Sequence, residues 1–206
     1  LERLNLCGLG FYGTGFRNMF YKHRNDEITV ESPKDFNGLK IRVMESPVMI
    51  NSINAIGATA TPIPFSELFQ SMKTGVVDGA ENSARIFMSY KYYEAGCNQF
   101  TLTEHFANQH VMIANAKWFI ALEPKYQRRI KEAIAISQQQ FDEVWEHTTE
   151  ESLRDMQEHG VHVNRIQDKT PFIREANKII EQYTLDYPQE SEELLYDIVN
   201  LRKDSI

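Results

Sequence analysis

Apolar and polar positions follow one another in blocks short enough to be single strands and helices. Residues 4–12 form an apolar run that reads as a strand, and the flexible Gly13-Thr14-Gly15 follows. Residues 18–25 are polar, aromatic and basic, and read as a loop. Turn chemistry over 31–38, with Pro33, Asn37 and Gly38, leads into a strand over 39–44. Ser46-Pro47 has the form of a helix start, with Ser as N-cap and Pro at the first helical position. That helix runs to Ile56 and stops at Gly57, and residues 58–63 make a second strand ending at Pro64. Leu68, Phe69 and Met72 keep helical spacing within 65–74, Gly75 ends the helix, and residues 76–80 form a third short strand. Strand–helix–strand–helix–strand with short connections predicts parallel pairing and right-handed crossovers. Ligands of such sheets gather beyond the carboxyl ends of the strands, where Arg42 and Asn82 fall.

Farther along, residues 92–102 and 109–114 read as strands, and the polar stretch 104–109 between them is the expected place for a change of domain. Residues 117–122 form a short helix, and Pro124 opens a long one in which Ile130, Ala133, Ile134, Phe141, Val144 and Trp145 hold helical spacing. The pattern continues to Glu158 and His159-Gly160 ends it. A brief strand over 161–163 precedes amphipathic helices over 169–183 and 190–201. Trp118 and Trp145 are read as core residues of their helices.

Composition narrows the function classes. The chain has 206 residues, enough for one or two domains, and 42% of them are hydrophobic. Its net charge of −7 has the wrong sign for a nucleic-acid binder. No stretch approaches the roughly 20 apolar residues of a membrane span, so direct membrane insertion is not expected. Cys7 and Cys97 form no C-x-x-C arrangement, which argues against a metal or redox site; pairing remains open, and free buried thiols are the preferred state. The sequence lacks G-x-S-x-G and a P-loop, which weighs against an enzyme of small-acid metabolism. A sensing domain is a third possibility. Arg42 is the strongest chemical signal, because a guanidinium is a planar fork that fits a carboxylate bidentately.

An ordered set of motifs then takes the reading further: Asp35-x-x-Gly38-Leu39-Lys40-Ile41-Arg42, Gly57-Ala58, Pro64-Phe65-Ser66-Glu67, and the run from Thr74-Gly75 through Asp78-Gly79 to Glu81-Asn82. Thr103-x-His105, Asn115-x-x-Trp118 and Gly160 follow. In this order the chain resembles the solute-binding proteins of TRAP (tripartite ATP-independent periplasmic) transporters, the DctP-like family. The resemblance implies an α/β fold, a periplasmic-binding-protein-like two-lobed clamp with parallel or mixed sheets and a long linking helix. Such proteins run to roughly 300 residues, and the chain, which opens without Met inside an apolar run, resembles their later two-thirds, with one lobe largely missing. The implied division is an inter-lobe crossing strand at 1–15, an α/β ligand-binding lobe at 16–107, a remnant of the N-terminal lobe with the start of the long helix at 108–147, and the end of the long helix with C-terminal helices at 148–206 packing back on the 16–107 lobe. The implied function is periplasmic capture of a small organic acid, such as a C4-dicarboxylate or sugar acid, for delivery to DctQ/DctM-like permease subunits, without catalysis or cofactor.

Carried over position by position, Arg42 is the carboxylate anchor, against the alternative of a strand-end arginine in an ion pair. Asn82 is a ligand amide, against a plain turn-former; Ser83 follows it where many members have Pro. Phe65 lies against the ligand's carbon skeleton, against a helix staple, and Glu67 beside it serves first-turn electrostatics. Arg17 is a second cleft arginine, with Lys22 and Arg24 as competitors. His105 is a hinge-proximal contact, against a structural hydrogen-bonding histidine. A metal-assisted variant of the family pairs Glu with Trp where this chain has Glu81-Asn82, so no metal is expected.

Overall fold

The computed structural model describes residues 4–23 and 29–186. The chain divides into two compact units, Leu1–Ile28 with Gly79–Arg165 and Thr29–Asp78 with Ile166–Ile206. The helix expected over 190–201 lies outside the described residues, as does part of the loop expected over 18–25.

The first unit is organised by two long antiparallel strands, β1 (Leu6–Tyr21) and a partner over Gln99–Asn115. The second strand of this unit in chain order, Gly79–Asn82, pairs antiparallel with the other edge of β1, and His162–Arg165 runs parallel to the start of the long partner. Residues 18–21 are therefore strand rather than loop. Met19, Phe20 and Tyr21 are essentially buried, so a segment that looks mixed in sequence is apolar on both faces in the fold. Residues 104–109 are likewise strand. Their polarity reflects the solvent-facing half of a two-stranded ribbon, since burial stops abruptly after Thr103. The strand expected over 92–102 begins only at Gln99; residues 92–95 form a 3-10 turn bounded by the left-handed Lys91 and Gly96.

In the second unit β2 (Lys40–Val43) and β3 (Thr59–Pro62) pair in parallel, joined through α1 (Pro47–Ala55), as the alternation of elements predicts. α2 (Leu68–Thr74) follows, closed by Gly75 at φ +78. The third short strand lies at Gly79–Asn82 instead of 76–80 and is β4. A helix that the sequence reading lacks, α3 (Ala84–Ser89), comes next, then the long partner strand β5, α4 (Ala116–Ala121), α5 (Pro124–Glu158), β6 (His162–Arg165) and α6 (Thr170–Asp186).

Each unit has its own core. In the first, Phe20 stacks on Tyr92 at 5.1 Å and meets Phe87 edge-on at 5.1 Å, with Phe100 closing the cluster. Such contacts contribute about 0.5–1.5 kcal/mol beyond area burial. α5 lies against β1 through Tyr12 and Phe141, 5.3 Å apart. Gly10 permits that approach, because a Cβ there would stand 2.6 Å from Ile134 Cγ2. In the second unit Phe36, Ile41, Val43, Ile53, Leu68 and Met72 are fully buried, and Phe172 of α6 meets Phe36 edge-on at 6.2 Å. Trp118, expected in a core, is 53% exposed. Among the described residues no helix is long and apolar enough to cross a membrane.

Candidate functional site

Arg42 sits on β2 between Ile41 and Val43, both fully buried, and is itself only 4% exposed. Its Nε donates to the carbonyl of Ile63, just beyond β3, at 2.7 Å. That bond turns the guanidinium past the carboxyl ends of the two parallel strands. The Cζ atom lies 5.6 Å from the ring centroid of Phe65, which opens the 3-10 turn Phe65–Glu67 after Pro64. Phe65 is 39% exposed, so part of its ring stays open to solvent. The second unit thus brings together two of the residues singled out in sequence: a buried, oriented guanidinium and a half-open aromatic face.

The first unit assembles a different group. Glu81, on β4, has no solvent exposure. Arg17, across the strand pair on β1, donates from Nε to Glu81 Oε2, from Nη2 to Oε1 at 2.8 Å, and from Nη2 to the Glu81 carbonyl at 3.0 Å. His105 Nε2 stands 3.6 Å from Glu81 Oε2, beyond hydrogen-bond distance, while its Nδ1 is 2.8 Å from Thr103 Oγ1. Burial on its own would raise the Glu81 carboxyl. The contacts to His105 and Arg17, and the charges of both, outweigh it and hold the group below its ordinary value.

An irregularity in β5 places His105. Pairing passes from Arg17↔Phe106 directly to Met19↔Thr101, so Asn18 alone faces residues 102–105. Asn18 Oδ1 accepts the Glu104 backbone N–H at 3.0 Å, and Glu104 takes φ +49. His105 stands beside Glu81 just past this bulge. A cavity of about 320 Å³ opens beside it, lined in part by Gly15, Asn18, Glu104, Trp145 and Arg165. Neither Arg17, Asn82 nor His105 lines it, so this cavity does not collect the ligand candidates.

Asn82 ends β4 and is 7% exposed. Its Oδ1 accepts the Ser83 backbone N–H at 2.9 Å, and Ser83 in turn caps α3 through the Ile86 N–H. The amide oxygen therefore does the work of a turn-former, while Nδ2 has no acceptor among the described residues. Sequence reasoning gave Glu81 no role of its own. Arg17 and Glu81 are 64 residues apart, and only the antiparallel register makes them neighbours. Among the described residues no three His, Cys, Asp or Glu side chains are grouped to hold a metal.

Over residues 1–186 the chain matches the bacterial extracellular solute-binding protein family 7, DctP. It belongs to that family. This DctP-family chain is 34% identical over 199 residues to a solute-binding protein of Chromohalobacter salexigens, a match covering 96% of the chain and 57% of the relative. To the C4-dicarboxylate-binding periplasmic protein DctP of Rhodobacter capsulatus it is 31% identical over 160 residues, covering 78% and 46%. A TRAP periplasmic solute-binding protein of C. salexigens, crystallised with bound D-glucuronate, superposes with a TM-score of 0.87 at 32% identity, over 96% of this chain and 64% of that one. The α/β architecture with mixed strand pairing is that of TRAP periplasmic solute-binding proteins, and the chain spans about half the length of the curated relatives it matches.

Proposed function

We propose that this chain serves an extracytoplasmic, periplasmic solute-binding protein of a TRAP transporter, capturing a small organic acid at Arg42 and delivering it unchanged to DctQ/DctM-like permease subunits. The observation that carries the reading is the posture of Arg42. A guanidinium buried to 4% exposure, with Nε fixed on a backbone carbonyl and a phenyl face beside it, is pre-set to meet a carboxylate attached to a carbon skeleton. The relatives fit that chemistry: one is named for C4-dicarboxylates and another was crystallised with D-glucuronate. Asn82, with its unspent Nδ2, and Arg17 and His105 remain candidate ligand contacts of the first unit, with Glu81 holding Arg17 in place.

A hydrogen bond to a charged group is worth about 1.5–3 kcal/mol, so losing two parallel ones raises Kd by about two to four orders of magnitude. The test is thermal shift with D-glucuronate, D-galacturonate and succinate. Ligand at about a hundred times Kd stabilises the native state by about 2.7 kcal/mol. Arg42→Ala is expected to abolish the shift and Arg42→Lys to weaken it sharply. An undiminished shift in Arg42→Ala would remove Arg42 from the site, and conversion of the bound acid would overturn the transport reading.

A further inference from the structure

We propose that Asn37-Gly38 is a self-modification site, at which Asn37 closes on the Gly38 nitrogen, loses ammonia and is converted to aspartate and isoaspartate at the entrance to β2. Of the asparagines in this chain, only Asn37 is followed by glycine, so no side chain crowds the attacking nitrogen. Both residues are exposed, and even the space a Gly38 Cβ would take is empty to 4 Å. Asn37 at φ −59 and ψ 131 with Gly38 at φ +86 make a type II turn, closed by the Leu39 N–H on the Phe36 carbonyl at 3.2 Å. Ring closure needs the peptide to rotate about the Asn37 Cα–C bond, and that turn hydrogen bond is what resists it. The proposal stands whether or not Arg42 meets a carboxylate.

The step balances without an oxidant or reductant. The Gly38 amide nitrogen attacks Asn37 Cγ, a C–N bond forms a five-membered imide, and the side-chain nitrogen departs as ammonia carrying the Gly38 amide proton. Water then opens the imide. Attack at the side-chain carbonyl gives aspartate, and attack at the main-chain carbonyl gives isoaspartate, with one more methylene in the backbone. Other candidates are tied down. Asn82 is 7% exposed with its oxygen on the Ser83 N–H, Asn51-Ser52 lies inside α1, and the Asp78 carboxylate holds the Lys40 N–H at 2.7 Å. The lengthened backbone would fall three residues before Lys40, whose pairing with Thr59 begins the β2–β3 register, so ageing should also lower thermal stability.

The experiment is incubation of the folded protein at mildly alkaline pH, followed by tryptic peptide mapping across Asp35–Lys40 and assay for isoaspartate. Conversion at Asn37 is expected to run at least about tenfold faster than at Asn51 or Asn82, a barrier difference of about 1.4 kcal/mol. Asn37→Gln, which would need a six-membered ring, should remove both the product and the loss of thermal stability on ageing. Conversion at Asn37 no faster than at Asn82, or conversion seen only in urea, would overturn the proposal.

Discussion

Removing the Glu81 carboxylate tests the account of the first unit most directly. Glu81 has no exposure and Arg17 only 5%, so Glu81→Ala would strand a guanidinium in a place where water cannot replace the lost partner. Breaking a buried pair in this way costs about 3–5 kcal/mol, a large share of the roughly 5–15 kcal/mol that a domain has in total. Arg17→Met alone should cost a similar amount, because it leaves a buried carboxylate with His105 as its remaining partner among the described residues. The double variant Arg17→Met/Glu81→Leu should recover most of the loss, since apolar replacement of a buried pair is commonly neutral or stabilising. Urea denaturation of the four proteins gives the coupling energy as a double-mutant cycle. The pH dependence has a definite sign. The folded Glu81 carboxyl is held below its unfolded value of 4.5, so its contribution is complete above pH 4.5 and is lost as pH falls through the folded pKa. Glu81→Gln should therefore flatten the acid limb of the stability profile. A loss under about 1 kcal/mol in Glu81→Ala, or additive single losses, would show that the pair is solvated and the reasoning wrong.

Other expectations come from single contacts. Gly10→Val should destabilise by about 1–3 kcal/mol in a denaturation curve, because its Cβ would overlap Ile134 on α5. Gln99 is 1% exposed and neither amide atom is hydrogen-bonded among the described residues, so Gln99→Met should be neutral or stabilising, and a loss above about 1 kcal/mol would reveal a partner. Burial pushes the Cys97 thiol up to about 12, so alkylation near neutral pH should label Cys7 in the native protein and reach Cys97 only on unfolding.

The second unit was the more legible in sequence, for a physical reason. Its elements are short and local, β2–α1–β3–α2 with parallel pairing, and each boundary carries its own marker: Ser46-Pro47, Gly57, Pro64 and Gly75. Arg42 and Phe65 are close in the chain and remain close in the fold, so motif and geometry coincide. The first unit depends on register, which leaves little local trace. β1 and β5 shift register three times, and the turn-like residues Gly13, Gly15, Asn18 and Glu104 mark irregularities inside strands rather than their ends. A polar residue at a bulge and a polar residue in a loop look alike in sequence, which is why residues 18–21 and 104–109 read as connections. The same register makes Arg17 and Glu81 partners. A sequence can reveal that a strand carries a buried charge, but the identity of the opposing charge depends on the pairing of strands far apart in the chain. Arg17 thus illustrates a general hazard in motif transfer: an arginine assigned to a ligand can find its carboxylate within the protein.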